Sequence, residues 1–233
     1  MKNNESGRSM IEMLGVLAII GVLSVGGIAG YSKAMTKFKT NKVSDQVSTI
    51  VTNLRTLYAQ QMNYTGLNNK TAIQMGVIPE EMGMDANTGL LKNPFNGTVY
   101  IGAGRIGKGI SGQEDDRRAF VIEYNGLPRA ACVSLATSDW GSNSSSGLIG
   151  IKAIGSVPAV ATGSTPDAVV DVTGPQGLEF QDNGAPCTGI PATSGSVVAC
   201  SGGNYDVPIP VAQAAIACNC GTANSCTVVW KYF

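Results

Sequence analysis

Six cysteines are the residues of this chain whose chemistry is easiest to predict, and they occur in a sequence without histidine. Cysteines in this number, with no histidine beside them, favour oxidation to three disulfides over metal binding. Cys218 and Cys220 have a single residue between them, which is closer than the usual pair of zinc ligands. The sequence therefore predicts an exported domain that is held by disulfides, with no bound metal.

No group of residues has the pattern of an active site. The absence of histidine removes the commonest general base, and the sequence has neither a nucleophile elbow nor a phosphate-binding glycine loop. Asp115 and Asp116, next to Arg117 and Arg118, are interpreted as a solvated turn. Residues 85–89 resemble a calcium loop only in part, because the terminal bidentate glutamate is missing. We predict no enzymatic activity and no cofactor.

Glu12 is a single carboxylate at the entrance of a long apolar segment. A helix that rises ~1.5 Å per residue can cross ~30 Å of hydrocarbon over this segment, and we predict a transmembrane span at about residues 13–32. A charged side chain in that frame costs roughly 2.5–3.5 kcal/mol. Two interpretations are open: Glu12 pairs with a basic group such as Arg8 or an amine exposed by cleavage, or it lies in the headgroup layer.

The residues before Glu12 form a recognisable motif. A short polar leader, MKNNES, is followed by Gly7, Arg8 and Ser9 and then by the apolar segment. This arrangement resembles the N-terminus of type IV pilins and pseudopilins. The resemblance implies that a prepilin peptidase cuts after Gly7, so that residues 1–7 are the leader, and methylates the new amine of Arg8. It also implies that Glu12 is the carboxylate of filament assembly. Arg8 departs from the family pattern, whose first mature residue is usually Phe or another apolar residue.

The helical pattern continues beyond the predicted span. Seven apolar residues recur at helical spacing on one stripe: Val43, Val47, Ile50, Val51, Leu54, Leu57 and Tyr58. No Pro or Gly interrupts residues 31–64. We therefore predict one N-terminal helix over residues 8–62 with a transmembrane half and an amphipathic half. A membrane helix followed by a separate domain helix is the alternative.

The charges around the span favour the opposite orientation to the one the motif implies. Lys2 and Arg8 precede the span, whereas four lysines follow it, at positions 33, 37, 39 and 42. Charge alone would place the bulk of the chain inside the cell. We predict an external domain, because it is rich in cysteine and because the cleavage motif faces the cytoplasm in the family that it resembles. A net charge of zero argues against binding to nucleic acid.

Residues 63–233 are predicted to form one globular domain that begins with a connecting loop at 63–97. Residues 87–102, NTGLLKNPFNGTVYIG, resemble the stretch before the first strand of type IVb pilins. Strands are predicted at 98–101, 119–124, 148–154, 168–172 and 227–233, and helices at 71–75, 128–136 and 211–218. The predicted fold class is α+β, with the long N-terminal helix packed on an antiparallel sheet and a disulfide-stapled region at 132–226.

The type IVb resemblance also implies a disulfide pairing. In that branch a cysteine on the helix after the second strand bonds to one near the C-terminal end, and Cys132 with Cys218 match those positions. Cys187 with Cys200 and Cys220 with Cys226 would then close two short loops, although six cysteines allow many other pairings.

Three functions are open at this point. The resemblance favours a structural subunit of a type IV pilus, a homo-oligomer in a helical filament. Its implied partners are prepilin peptidase, the inner-membrane pilus assembly machinery and the membrane itself. Such a subunit would reside in the inner membrane before assembly and in an extracellular filament afterwards. A secretion-system pseudopilin shares the N-terminus, but the major subunit of that branch typically holds its end with calcium. A membrane-anchored adhesin that never polymerises is the third possibility.

Overall fold

The computed structural model describes residues 10–61, 63–104, 117–141, 146–155, 198–202, 209–220 and 226–233. The chain forms two compact units, Met1–Phe38 and Lys39–Phe233. The second unit therefore begins inside the N-terminal helix, and the predicted division at residues 62 and 63 stays a prediction.

Helix α1 runs from Met10 to Tyr58, a length of 49 residues. From Lys39 onwards it buries one face at intervals of three and four residues: Thr40, Val43, Gln46, Val47, Ile50, Val51 and Leu54. Leu57 was predicted to lie on this face, but that prediction is wrong, because its side chain is 49% exposed. Tyr58 ends the face instead, since its ring packs against Tyr64 with 4.9 Å between centroids. The helix also ends four residues before the predicted boundary.

Among the described residues, seven strands form one sheet in which every neighbouring pair is antiparallel. The order across the sheet is β1-β2-β3-β4-β7-β5-β6. The strands are β1 Gly83–Asp85, β2 Leu90–Lys92, β3 Thr98–Gly104, β4 Ala119–Leu127, β5 Leu148–Ile154, β6 Val198–Gly202 and β7 Cys226–Tyr232. The last strand of the sequence lies between β4 and β5, and all of its residues are buried.

The core lies between the sheet and the second half of α1. Ile122 on β4 pairs with Trp230 on β7, which in turn pairs with Ile151 on β5, so these three side chains share one face of the sheet. They belong to the same buried cluster as the α1 residues. A direct polar contact joins the two layers, because the Tyr124 hydroxyl donates to Oε1 of Gln46 at 3.4 Å. The predicted α+β class, a long helix on an antiparallel sheet, is confirmed.

Regular structure lies within residues 63–97, where the sequence predicted a connecting loop with one short helix at 71–75 and no strand. Helix α2 spans Asn69–Gln74. It begins in a capping box, in which the Asn68 side chain accepts from the Thr71 backbone and the Thr71 hydroxyl accepts from the Asn68 backbone. Strands β1 and β2 form a hairpin in the same region. Each has three residues, which is too short for apolar alternation to reveal them.

The remaining elements agree with the predictions to within a few residues. Helix α3 spans Arg129–Ala136 and helix α4 spans Val211–Ala217, each with a proline immediately before it at the N-cap position. Pro128 was predicted inside the helix, but its backbone is extended, with ψ 153°. Strands β3 and β4 continue three residues beyond their predicted ends. Strand β6 was not predicted, and the strand predicted at 168–172 lies outside the described residues.

Candidate functional site

The first part of α1, up to Phe38, exposes apolar side chains around its whole circumference. The large exposed residues are Met10, Ile11, Met13, Leu14, Val16, Leu17, Ile19, Ile20, Val22, Leu23, Val25, Ile28, Tyr31 and Phe38. An 18-residue window of the helix has the length and composition needed to cross a membrane, and none of that window is buried. A helix that is apolar on all sides requires lipid or other helices around it.

Glu12 lies in the first turn of α1, and its residue is exposed. A carboxylate at this position also interacts favourably with the partial positive charge of a helix N-terminus. Gly7 and Arg8 lie outside the described residues. The cleavage at Gly7, the methylation of Arg8 and the assembly role of Glu12 therefore stay predictions.

Two disulfides connect the elements around the C-terminal strand. Cys132 on α3 bonds to Cys218 at the C-cap of α4, with 5.8 Å between their Cα atoms. Cys220 bonds to Cys226, the first residue of β7, with 5.2 Å between Cα atoms. Both Cα distances are ordinary for disulfides. These are two of the pairs given above, and the pair of Cys187 with Cys200 lies outside the described residues.

The two disulfides lie side by side. The Sγ atoms of Cys132, Cys218 and Cys226 all lie within 4.8 Å of one another, and all three residues are fully buried. Because these sulfurs are bonded in pairs, they are not the thiolates that a metal ion would need. The arrangement is a sulfur cluster where α3, α4 and the start of β7 meet.

A row of aromatic rings, which sequence analysis did not identify, connects the end of α1 to β7. Ring centroids are 4.9 Å apart for Tyr58 and Tyr64, 4.8 Å for Tyr64 and Phe120, and 5.7 Å for Phe120 and Tyr232. Burial raises the pKa of Tyr58 and of Tyr64, and it raises the pKa of Tyr232 to about 12 although Arg55 lowers it. The row is a packing feature that stays uncharged at neutral pH.

Charged residues are buried on the sheet face opposite α1. Glu123 on β4 is 8% exposed, Lys152 on β5 is 6% exposed and Lys231 on β7 is 4% exposed. Burial raises the pKa of Glu123, while the Asn125 side chain and the charge of Lys152 lower it. Strand alternation in the sequence could have placed these side chains on that face, but it gave no indication that the face is buried.

The calcium-like segment is a hairpin turn between β1 and β2. Asp85 accepts a hydrogen bond from the Asn87 backbone at 2.9 Å and another from the Thr88 hydroxyl at 2.8 Å. The Thr88 hydrogen bond is the main cause that lowers the pKa of Asp85. Both carboxylate oxygens of Asp85 therefore accept hydrogen bonds within the turn.

The second acidic segment is the predicted turn at residues 115–118. Asp115 and Asp116 lie outside the described residues, whereas the backbone oxygen of Arg117 accepts a hydrogen bond from the backbone N–H of Tyr64.

Comparison with known proteins gives a family. The family model described as Bundlin matches residues 32–175. The major structural subunit of the bundle-forming pilus of Escherichia coli O127:H6 is 27% identical over 142 residues, which is 61% of this chain and 69% of that protein. The toxin coregulated pilin of Vibrio cholerae is 26% identical over 145 residues, which is 59% of each chain.

Two solved structures are also similar. A type IVb pilin from Salmonella typhi has a TM-score of 0.45 and 19% identity, over 79% of this chain and 93% of the other. TcpA of Vibrio cholerae El Tor has a TM-score of 0.47 and 16% identity, over 84% and 99%.

The family model and the two relatives define a class, the pilins. Because the family model spans more than half of the sequence, this chain belongs to the Bundlin family. The match begins at residue 32, so it does not include the N-terminal motif with Gly7 and Glu12. Two separate parts of the chain therefore lead to the same family.

Proposed function

We propose that this chain is a structural subunit of a type IVb pilus, which polymerises through the first part of α1. The observation that carries the proposal is the exposed apolar surface of that helix segment, in a chain whose residues 32–175 belong to a pilin family. The Escherichia coli relative is named as the major structural subunit of a pilus. No catalytic role is required of such a subunit.

The exposed side chains of α1 support both a membrane stage and a filament stage. Burying one large aliphatic side chain is worth roughly 1.5–3 kcal/mol, so more than a dozen exposed residues strongly favour an apolar environment. Lipid supplies that environment in the inner membrane. Outside the membrane, the same helix segments of neighbouring subunits supply it, and the filament core is built from them.

Glu12 gives assembly its direction and register in this proposal. The carboxylate costs roughly 2.5–3.5 kcal/mol in lipid when it has no partner. An opposite charge at ~4 Å returns about 4 kcal/mol at an effective dielectric of 20. The amine of Arg8 on the adjoining subunit is the proposed partner, and it becomes available only after prepilin peptidase cuts behind Gly7. Terminal sequencing of assembled protein would then begin at Arg8.

Electron microscopy of cells with and without this chain tests the proposal. We expect surface filaments that disappear when the chain is deleted and return when it is restored. A secretion-system pseudopilin would give at most short fibres that do not project from the cell, and an adhesin would leave the filaments of other chains in place. Unchanged filaments in the deletion strain would contradict the proposal.

A further inference from the structure

We propose that Cys220 protects the disulfide between Cys132 and Cys218. Because Cys220 is bonded to Cys226, Cys226 has no free thiol that could exchange with that disulfide. The observation is the position of Cys226. Its Sγ lies within 4.8 Å of both sulfurs of the neighbouring disulfide. This inference concerns the covalent maturation of the domain and does not depend on the chain being a pilus subunit.

A free Cys226 would be positioned to attack. Thiol–disulfide exchange begins when a thiolate approaches a sulfur of an existing disulfide. Attack on Cys218 forms a bond between Cys226 and Cys218 as the original bond breaks, and Cys132 leaves as a thiolate. Attack on Cys132 releases Cys218 in the same way. Each step exchanges one disulfide for another, so no oxidant or reductant is consumed.

The surroundings determine the speed of this exchange. Cys132, Cys218 and Cys226 are fully buried, and burial disfavours the charged thiolate, which is the form of a free cysteine that attacks a disulfide. The exchange is therefore slow in the folded chain and faster in mildly alkaline solution. It is fastest while the domain is still folding, when the sulfurs are accessible and their pairing is being decided.

The entropy of loop closure does not favour Cys218 over Cys226 as the partner of Cys132. Cys218 and Cys226 are both distant in sequence from Cys132, and loop-closure cost changes slowly with loop length, so the two competing loops have nearly the same cost. Cys220 removes this ambiguity. It is only six positions from Cys226, so their short loop closes readily and leaves Cys132 and Cys218 to each other.

Two single variants of the full chain separate this role from ordinary packing. In Cys220→Ser, Cys226 loses the sulfur to which it is bonded and lies beside the long-range disulfide. In Cys226→Ser, the same short disulfide is lost, but the remaining thiol belongs to Cys220, which is outside the group of sulfurs that lie within 4.8 Å of one another. Each chain is held at mildly alkaline pH, quenched with acid, alkylated, digested without reduction and mapped by mass spectrometry.

The expected result is a difference between the two variants. Cys220→Ser should give a mixture in which Cys226 is linked to Cys132 or Cys218 in a substantial fraction of molecules, increasing with pH. Cys226→Ser should keep Cys132 bonded to Cys218. Quantitative alkylation of Cys226 in Cys220→Ser, or equal scrambling in both variants, would overturn the proposal.

A second measurement uses the natural sequence, in case Cys220→Ser does not accumulate. A limiting amount of a dithiol opens part of the short disulfide, and the acid-quenched chain is mapped in the same way. Peptides that link Cys226 to Cys132 or Cys218 should appear during the reaction. Their absence while the short disulfide is open would also overturn the proposal.

Discussion

The guanidinium group of Arg55 lies over the ring of Tyr232, with its Cζ atom 5.2 Å from the ring centroid. The same side chain donates a hydrogen bond from Nη2 to the backbone oxygen of Phe233 at 3.1 Å. Arg55 is near the end of α1, whereas Tyr232 ends β7, an interior strand of the sheet. Arg55 therefore connects the N-terminal helix α1 to the C-terminal strand β7.

Replacing Arg55 with alanine should lower the free energy of unfolding by about 2 kcal/mol. A cation–π contact contributes roughly 0.5–2 kcal/mol, and a hydrogen bond from a charged donor adds to it. Arg129→Ala is the matched control, because Arg129 also donates to a backbone oxygen, that of Ala215, on an exposed surface. Denaturant unfolding of the full chain in detergent measures both. Equal losses in the two variants would show that the ring contact contributes nothing.

Gly147→Ala should destabilise the chain by more than the backbone conformation alone explains. Gly147 has φ +67°, and a Cβ atom there would collide with Nη2 of Arg55. Gly66→Ala is the control, because Gly66 has φ +80° but open space around it. We expect about 1–2 kcal/mol for Gly66→Ala and a larger loss for Gly147→Ala. Most of the excess should disappear when Arg55→Ala is combined with Gly147→Ala, although the backbone oxygen of Phe233, 3.0 Å from the same Cβ, remains. Additive losses would contradict the collision.

Sequence patterns predicted the parts of the fold that depend on local periodicity. The buried face of α1 and the bounds of β5 follow from apolar spacing, and the bond between Cys132 and Cys218 followed from family resemblance. The contact between Arg55 and the end of β7 could not be predicted, because the partners are 178 positions apart in sequence. Long-range pairings of this kind are decided by packing and leave no periodic signal.

The missed features have separate physical reasons. The hairpin of β1 and β2 is fixed by hydrogen bonds that the Asp85 carboxylate accepts, rather than by apolar alternation. The buried Glu123 lies where strand alternation predicts a solvent-facing residue.

The motif at Gly7 and Glu12, the candidate assembly site, could be recognised from the sequence, because it depends on residue types at fixed positions close together in the chain.

Stability should fall as the pH rises from 10 towards 12. The ordinary pKa of a tyrosine is 10.0, and burial raises the pKa of Tyr232 to about 12. Burial disfavours the charged phenolate of Tyr232, so the folded chain holds this proton more tightly than the unfolded chain does. The resulting stabilisation is complete below pH 10 and is lost as the pH approaches 12.

Tyr232→Phe checks this assignment, because phenylalanine has no proton to lose. Unfolding curves at a series of alkaline pH values should show a shallower loss of stability in Tyr232→Phe than in the natural chain. Other buried tyrosines, such as Tyr124, still titrate with a raised pKa, so some pH dependence should persist. Identical pH profiles for the two proteins would show that Tyr232 is not one of the responsible groups.

Removing the long-range disulfide should cost more stability than removing the short one. Cys132 and Cys218 are 86 positions apart, whereas Cys220 and Cys226 are six apart. The chain-entropy model gives about 4–5 kcal/mol for the long loop and about 2 kcal/mol for the short loop. Paired serine variants at each bond, compared by denaturant unfolding, measure the difference. A greater loss for the short bond would mean that chain entropy is not the main source of the stabilisation.

Glu12→Gln should leave the subunit folded and inserted in the membrane but reduce its entry into filaments by at least tenfold. The proposed charge pair is worth about 4 kcal/mol, and only 1.4 kcal/mol corresponds to a factor of ten. Asp45→Asn is the matched control, since Asp45 is an exposed carboxylate in the second half of the same helix. Assembly of the control should equal that of the natural chain.

The most direct measurement is the ratio of this chain in sheared surface filaments to this chain in membranes, quantified by mass spectrometry. We expect the natural chain and Asp45→Asn to be abundant in the sheared fraction, and Glu12→Gln to be found almost entirely in membranes. If the natural chain is absent from sheared filaments, the chain is not their structural subunit. If all three ratios are equal, assembly does not depend on the carboxylate at the start of α1.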